Sequence, residues 1–183
     1  MPHAEATESE VVSLLSALAG RVDRPRVVAS GNASAPWELL RLADAQLPTW
    51  TLNILNAPKG IPTRAGVVHE TSFVGPGMRK SPSLSYVPAR LSLVPHLFFR
   101  TLPPDAVLVH TSAPMGGKVS LGVEVNILPA AIEACRARGG IVIAQANPQM
   151  PYTFGDGELS VDHFDAVLPV DAPVATAKGV PAP

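Results

Sequence analysis

Three loops of this chain place small, amide-bearing and proline residues directly behind apolar runs, where polar groups are free to meet a ligand. The first, Ser30-Gly31-Asn32-Ala33-Ser34-Ala35-Pro36, leads into a predicted helix start. Such a turn offers unpaired N–H groups and a positive dipole end, suited to phosphate, carboxylate or a developing oxyanion. An ordinary strand–helix turn is the plainer alternative. The loop is neither a G-x-G-x-x-G dinucleotide fingerprint nor a phosphate loop ending in Gly-Lys-Ser/Thr. In the second, Ser112-Ala113-Pro114-Met115-Gly116-Gly117-Lys118, the adjacent glycines permit close approach of a ligand or of neighbouring backbone. Lys118 supplies a charge for an anion, with a merely solvated lysine as the alternative. In the third, Asn147-Pro148-Gln149-Met150-Pro151, prolines fix φ on both sides of Gln149-Met150 and make a stiff shelf. Prolines also simply end strands.

The remaining reactive side chains form no complete catalytic set. His69, His96, His110 and His163 lack the i, i+3 or i, i+4 partners of zinc motifs, so the sequence predicts no metal site. Cys135 falls on the apolar face of a predicted helix and reads as core rather than nucleophile. No G-x-S-x-G elbow is present. Glu70 and Glu124 are carboxylates with partly apolar flanks, and nothing marks either as a nucleophile.

The elements that must hold these loops follow from periodicity. Val11, Leu14, Leu15 and Leu18 have the spacing of an amphipathic helix over 8–22, closed by Gly20. Arg26-Val27-Val28-Ala29 reads as a strand. A helix through Leu39, Leu40 and Ala43 follows, with Ser34 as N-cap and Pro36 in its first turn. Trp50 to Leu55 is the next strand. The pattern then repeats: a strand over Asp105 to His110, a helix burying Leu128, Ala131, Ile132 and Cys135, a strand over Ile141 to Ala146, and another over Phe164 to Val170. Continuous apolar runs indicate strands covered on both faces. The fold class is therefore α/β, an open, mostly parallel sheet covered by helices. Between Ala57 and Arg100 no clean template fits; Gly66-Val67-Val68-His69 suggests a short strand, and Pro95 interrupts the apolar stretch Leu91 to Phe99.

Composition narrows the partners. Of 183 residues, 46% are hydrophobic and 16% charged, which argues for a folded core and against disorder. So little charge points to apolar surface covered by another chain or domain. A net charge of −1 gives no basic footprint for nucleic acid. No apolar run approaches the length of a membrane span. The N-terminus Met1-Pro2-His3-Ala4-Glu5 lacks the basic start of a signal peptide, and a single cysteine excludes an internal disulfide. Cytoplasm is the expected compartment.

The order of motifs carries a resemblance. Val27-Val28-Ala29-Ser30-Gly31-Asn32 with Pro36 behind it is the first. Gly75-Pro76-Gly77-Met78-Arg79 follows, then Ser85-Tyr86-Val87-Pro88, Leu91-Ser92 and Pro95-His96-Leu97-Phe98. Asp105 to Val109 with Ser112-Ala113-Pro114, Val119-Ser120-Leu121-Gly122, and Val142-Ile143 through Asn147-Pro148-Gln149-Met150-Pro151 to Gly155 complete the series. Over Arg26 to Asp171 the chain resembles the N-terminal domain of the acetyl-CoA hydrolase/transferase family of class I CoA-transferases. It departs from that family at Met115-Gly116-Gly117, where an Asp and a polar turn are usual, and at Gln145, where an acidic residue is common.

The resemblance implies a CoA-transferase-type N-terminal α/β domain over 1–172 and a linker-like tail over 173–183. In that family a glutamate of a second, C-terminal domain attacks the acyl-CoA, giving an acyl anhydride and then a glutamyl-CoA thioester. The implied role of this chain is to line the pocket with Gly31, Asn32, Met78, Arg79, Met115, Gly116, Gly117, Asn147 and Met150. The nucleophile would come from a second domain or a separate subunit in an oligomer. Acyl-CoA and carboxylate are the implied substrates, with no permanently bound cofactor. A non-catalytic acyl-CoA- or carboxylate-binding module and an inactive fragment are the alternatives.

Overall fold

A computed structural model describes residues 5–175 of the chain. Its elements, in order, are α1 (Glu8–Arg21), β1 (Arg26–Ala29), α2 (Trp37–Gln46), β2 (Trp50–Asn53), β3 (Val67–Thr71), β4 (Leu84–Tyr86), α3 (Val94–Phe98), β5 (Ala106–Ser112), β6 (Lys118–Ser120), α4 (Leu128–Arg136), β7 (Ile141–Asn147), β8 (Glu158–Ser160) and β9 (Ala166–Pro169). Seven strands form one parallel sheet in the order β4-β3-β2-β1-β5-β7-β9, and β6 and β8 pair antiparallel beside it. The expected open α/β sheet is what the chain forms.

The sheet is covered on both faces because its strands alternate two apolar sets. Val27, Leu52, Leu108 and Ile143 pack with Val11, Leu15 and Leu18 of α1 and Leu39, Leu40 and Ala43 of α2. Val28, Val107, Val109 and Val142 pack on the opposite side with Val94 and Phe98 of α3 and Leu128, Ala131, Ile132 and Cys135 of α4. Each fully buried valine, leucine, isoleucine or phenylalanine among them contributes about 1.5–3 kcal/mol by leaving water. Where the sheet passes β2 and β3, a polar cluster fills the space instead. Arg26 pairs with the buried Glu70, Nε to Oε1 at 2.9 Å, and Asn53 Nδ2 donates to the same oxygen at 2.9 Å.

Several local expectations are corrected. Gly20 does not close α1, which runs on to Arg21 with Val22 at its C-cap. Its start carries a capping box: Thr7 Oγ1 accepts from Glu10 N–H, and the Glu10 carboxylate accepts from Thr7 N–H. Ser34 is not the N-cap of α2. It ends a 3-10 turn over Asn32–Ser34, and Pro36 occupies the cap with no side-chain hydrogen bond. Trp50 to Leu55 shortens to Trp50–Asn53, and the suggested strand near Val67 extends to Thr71. Pro95 interrupts nothing, because it sits in the first turn of α3, where its missing N–H is harmless. Among the described residues no helix is long and apolar enough to cross a membrane. The expected tail lies outside the described residues from 176 onward.

Candidate functional site

Strand order creates the site. From β1 the chain moves outward through β2, β3 and β4, then returns to β5 on the other side of β1 and continues through β7 to β9. Loops leaving the carboxyl ends of β1 and β5 diverge there, and open α/β sheets bind ligands in such a crevice. Ser30 knits the two strands at this point: its N–H donates to Leu108 O at 3.1 Å, and its Oγ accepts from His110 N–H at 3.2 Å.

The β1 loop then lies directly on the β2 loop. A Cβ on Gly31 would fall 2.0 Å from Leu55 O, so only glycine lets the two backbones meet. Asn32 and Asn56 both adopt left-handed φ, 48° and 49°, and Asn32 N–H donates to Asn56 O at 3.3 Å. Non-glycine residues in this region carry strain and gather at functional sites. The β3 loop closes on the same place: a Cβ on Gly75 would lie 2.3 Å from Ala57 N, and one on Gly77 2.0 Å from Pro58 O.

Opposite Asn32 stands Glu124, from the segment that joins β6 to α4. Asn126 Nδ2 donates to its carboxylate, and Asn32 approaches the same group. Burial pushes the Glu124 carboxyl above its ordinary pKa, and the two asparagine amides partly offset this by favouring the charged form. A half-buried carboxyl beside amide donors can pass a proton to or accept one from a bound oxygen or sulfur. Two residues earlier, Gly122 at φ +65° leaves room for Met150; a Cβ there would meet its Sδ at 2.3 Å. The Gly122–Glu124 stretch thus lies between Asn32 and Met150.

Side chains build the other half of the edge. Gln145 Oε1 accepts from the Glu38 N–H at 3.0 Å, so a residue of β7 caps α2 in place of the side chain Pro36 lacks. Asn147 Nδ2 donates to Ala172 O at 2.7 Å and faces His110 Nε2 at 3.1 Å, while its Oδ1 accepts from Gln149 N–H at 2.9 Å. A donating amide assigns Nε2 as acceptor and puts the imidazole proton on Nδ1. Ser34 Oγ is buried without a hydrogen-bond partner among the described residues. Burial pushes the His110 pKa down to about 4, opposed by the Ala35 carbonyl.

The residues expected on the pocket wall therefore divide. Asn32 is exposed at the crevice, above the buried Gly31. Asn147 and Met150 are buried within the third loop. Met78 is fully buried in the core, where it anchors the β3 loop, and Arg79 beside it is exposed. Met115, Gly116 and Gly117 lie at an exposed hairpin tip. Met115 and Lys118 exchange backbone hydrogen bonds of 2.7 and 3.1 Å, and φ of +58° and +77° at the glycines is what a two-residue hairpin turn of this kind requires. Nothing lies within 4 Å of a Cβ built on either. No neighbouring backbone among the described residues comes close to these glycines. Sequence reasoning left Glu124 without a role and missed His110 and Gln145 as parts of the edge, because their partners are distant in sequence.

The strand order defines an open α/β domain with a crevice at the reversal of strand order. Within that class, the chain is 27% identical over 93% of its length to 4-hydroxybutyrate coenzyme A transferase of Clostridium kluyveri, of which it spans 42%. The crystal structure of 4-hydroxybutyrate CoA-transferase from Porphyromonas gingivalis superposes with a TM-score of 0.65 at 24% identity, covering 90% of this chain and 40% of that one. RipA from Yersinia pestis has the same fold, with a TM-score of 0.75 at 15% identity over 96% of this chain and 47% of that one. No family model matches. In fold and in sequence the chain is thus similar to part of these CoA-transferases. It spans less than half the length of each of these relatives.

Proposed function

We propose that this chain, over residues 1–172, is the N-terminal half or small subunit of a cytoplasmic acyl-CoA:carboxylate CoA-transferase or acyl-CoA hydrolase. The observation that carries the reading is the relationship to the C. kluyveri enzyme along nearly the whole chain. The crevice at the β1–β5 reversal is where such a fold would accept the acyl-CoA and the carboxylate. A glutamate from a second domain or subunit attacks the thioester carbonyl and expels CoA thiolate, leaving an acyl-glutamyl anhydride. The thiolate then attacks the glutamyl carbonyl, releasing the carboxylate and leaving a glutamyl-CoA thioester. A carboxylate is a weak nucleophile, so the reaction depends on positioning and on stabilising each tetrahedral oxyanion. Asn32, held by its strained backbone, and the Glu124 carboxyl form this chain's contribution to the wall. Closing the crevice against a second domain excludes the water that would hydrolyse either intermediate.

The test is assembly followed by turnover. Mixed with or joined to a glutamate-bearing CoA-transferase C-terminal domain, the chain is expected to form a stable complex that transfers CoA from acetyl-CoA to a short carboxylate. A covalent glutamyl-CoA adduct should be detectable by mass spectrometry. Binding of CoA esters with no turnover in any assembly would replace the enzyme reading with that of a binding module.

A further inference from the structure

Beside the crevice, at the carboxyl ends of β2 and β3, a cleft of about 500 Å³ is lined by Lys59, Gly60, Pro76, Gly77, Arg79 and Lys80. Three of these six residues are cations and none is a carboxylate. All three side chains are exposed, and among the described residues none has a hydrogen-bond or ion-pair partner. Like charges gathered round one concavity repel, and they focus a positive potential into it. An anion relieves that repulsion.

The walls of the cleft are fixed before any ligand arrives. Gly77 N–H donates to Ala57 O at 2.9 Å, joining the loop that carries Arg79 and Lys80 to the loop that carries Lys59. The buried Met78 side chain pins the first of these into the core. His69 on β3, itself buried, ties both to the sheet. Its Nε2 meets Pro62 O at 2.7 Å and its Nδ1 meets Ser81 Oγ at 2.7 Å. The carbonyl partner makes Nε2 the donor and Nδ1 the acceptor. A site held this way loses little entropy on binding.

One aromatic ring borders the cleft. Trp37, 42% exposed, places ring carbons 3.7 Å from where a Cβ on Gly60 would stand. Nucleobases stack on such exposed rings while nearby cations hold the phosphates. We propose that the Lys59–Arg79–Lys80 cleft binds the phosphate groups of an adenine nucleotide whose base stacks on Trp37. On the reading given under Proposed function, on which this last identification rests, the nucleotide is the 3′-phosphorylated ADP end of CoA. Its pantetheine arm would run along the sheet edge towards Asn32, whose N–H already meets Asn56, three residues before Lys59.

The experiment titrates the full chain with adenosine 3′,5′-bisphosphate, with CoA and with pantetheine, following tryptophan emission. Trp50 is fully buried, so a change reports on Trp37. The two nucleotides are expected to bind and to shift the emission, and pantetheine to bind far more weakly. Lys59→Ala, Arg79→Ala and Lys80→Ala, all at exposed positions, should each weaken nucleotide binding about tenfold, as loss of a charge-assisted hydrogen bond does. Arg138→Ala, exposed elsewhere, should leave binding unchanged. Trp37→Leu should abolish the emission change. Nucleotides that fail to bind, or that bind the triple variant as tightly as the parent, overturn the cleft. In the assembled enzyme the two proposals separate. An unchanged KM for the CoA ester in the triple variant sinks the cleft and leaves the transferase reading standing. Nucleotide binding in the cleft without CoA transfer does the reverse.

Discussion

On the β2–β3 side of the carboxyl edge the loops touch backbone to backbone, whereas on the β5–β7 side buried side chains fill the space between them. In the first region Gly31, Gly75 and Gly77 stand where any Cβ would strike a neighbouring main chain at 2.0 to 2.3 Å. In the second, Ser30, His110, Gln145 and Asn147 hold the loops by hydrogen bonds. A lock made of main chain has nothing to titrate and no tolerance for an added methyl group. A lock made of side chains tolerates changes of size better but depends on protonation and on each partner being present.

The largest effect should come from Gly31→Ala. Its methyl group would lie 2.0 Å from Leu55 O, which cannot move without parting the β1 and β2 loops. A loss of about 3 kcal/mol or more is expected, read as a lower urea midpoint. Gly116→Ala at the open hairpin tip meets no neighbour and suffers only its left-handed φ, so it should cost about 1–2 kcal/mol. Equal losses at the two positions would break the comparison at its first half.

The second half should respond to acid. His110 has a folded pKa of about 4 against an ordinary value of 6.5. Below 6.5 the unfolded chain takes up a proton that the folded one refuses, so stability falls as pH drops from 6.5 towards 4 and levels off below. The full effect is up to about 3 kcal/mol, because each tenfold change in proton affinity corresponds to about 1.4 kcal/mol. Denaturation midpoints measured between pH 7 and pH 4 should fall less steeply in His110→Gln than in the parent. Identical slopes would remove His110 from the account. Smaller still is Gln145→Ala, which leaves the Glu38 N–H uncapped. It should cost about 1 kcal/mol and speed hydrogen exchange at that amide while leaving the Gly31 side unaffected.

How much of this was legible in the sequence depends on the range of the forces involved. The strands of β1, β5, β7 and β9 were readable because burial on both faces leaves uninterrupted apolar runs. The α4 face was readable because Leu128, Ala131, Ile132 and Cys135 keep helical spacing. The capping box at Thr7 and Glu10 is equally local, a threonine and a glutamate three residues apart. Ser34 misled because its type and position before Pro36 suit a cap, and only the turn over Asn32–Ser34 carries its side chain away from the helix start. Gly116-Gly117 suggested close approach, whereas the hairpin between Met115 and Lys118 uses their φ freedom.

At the candidate site the same division holds. Gly31 and Asn32 were singled out from their place between strand and helix, and the structure sets them where the β1 loop meets the β2 loop. Glu124 could not be placed, since its meeting with Asn32 spans most of the domain. For His69 the sequence showed only the lack of a zinc-motif partner, whereas Pro62 and Ser81 meet its two nitrogens in the fold. The sequence by itself determined an α/β sheet buried on both faces, because hydrophobic periodicity acts over a few residues. The tertiary structure alone decided which loops meet, which glycines are obligatory and which cations share a cleft, because strand order brings together groups that no local pattern connects.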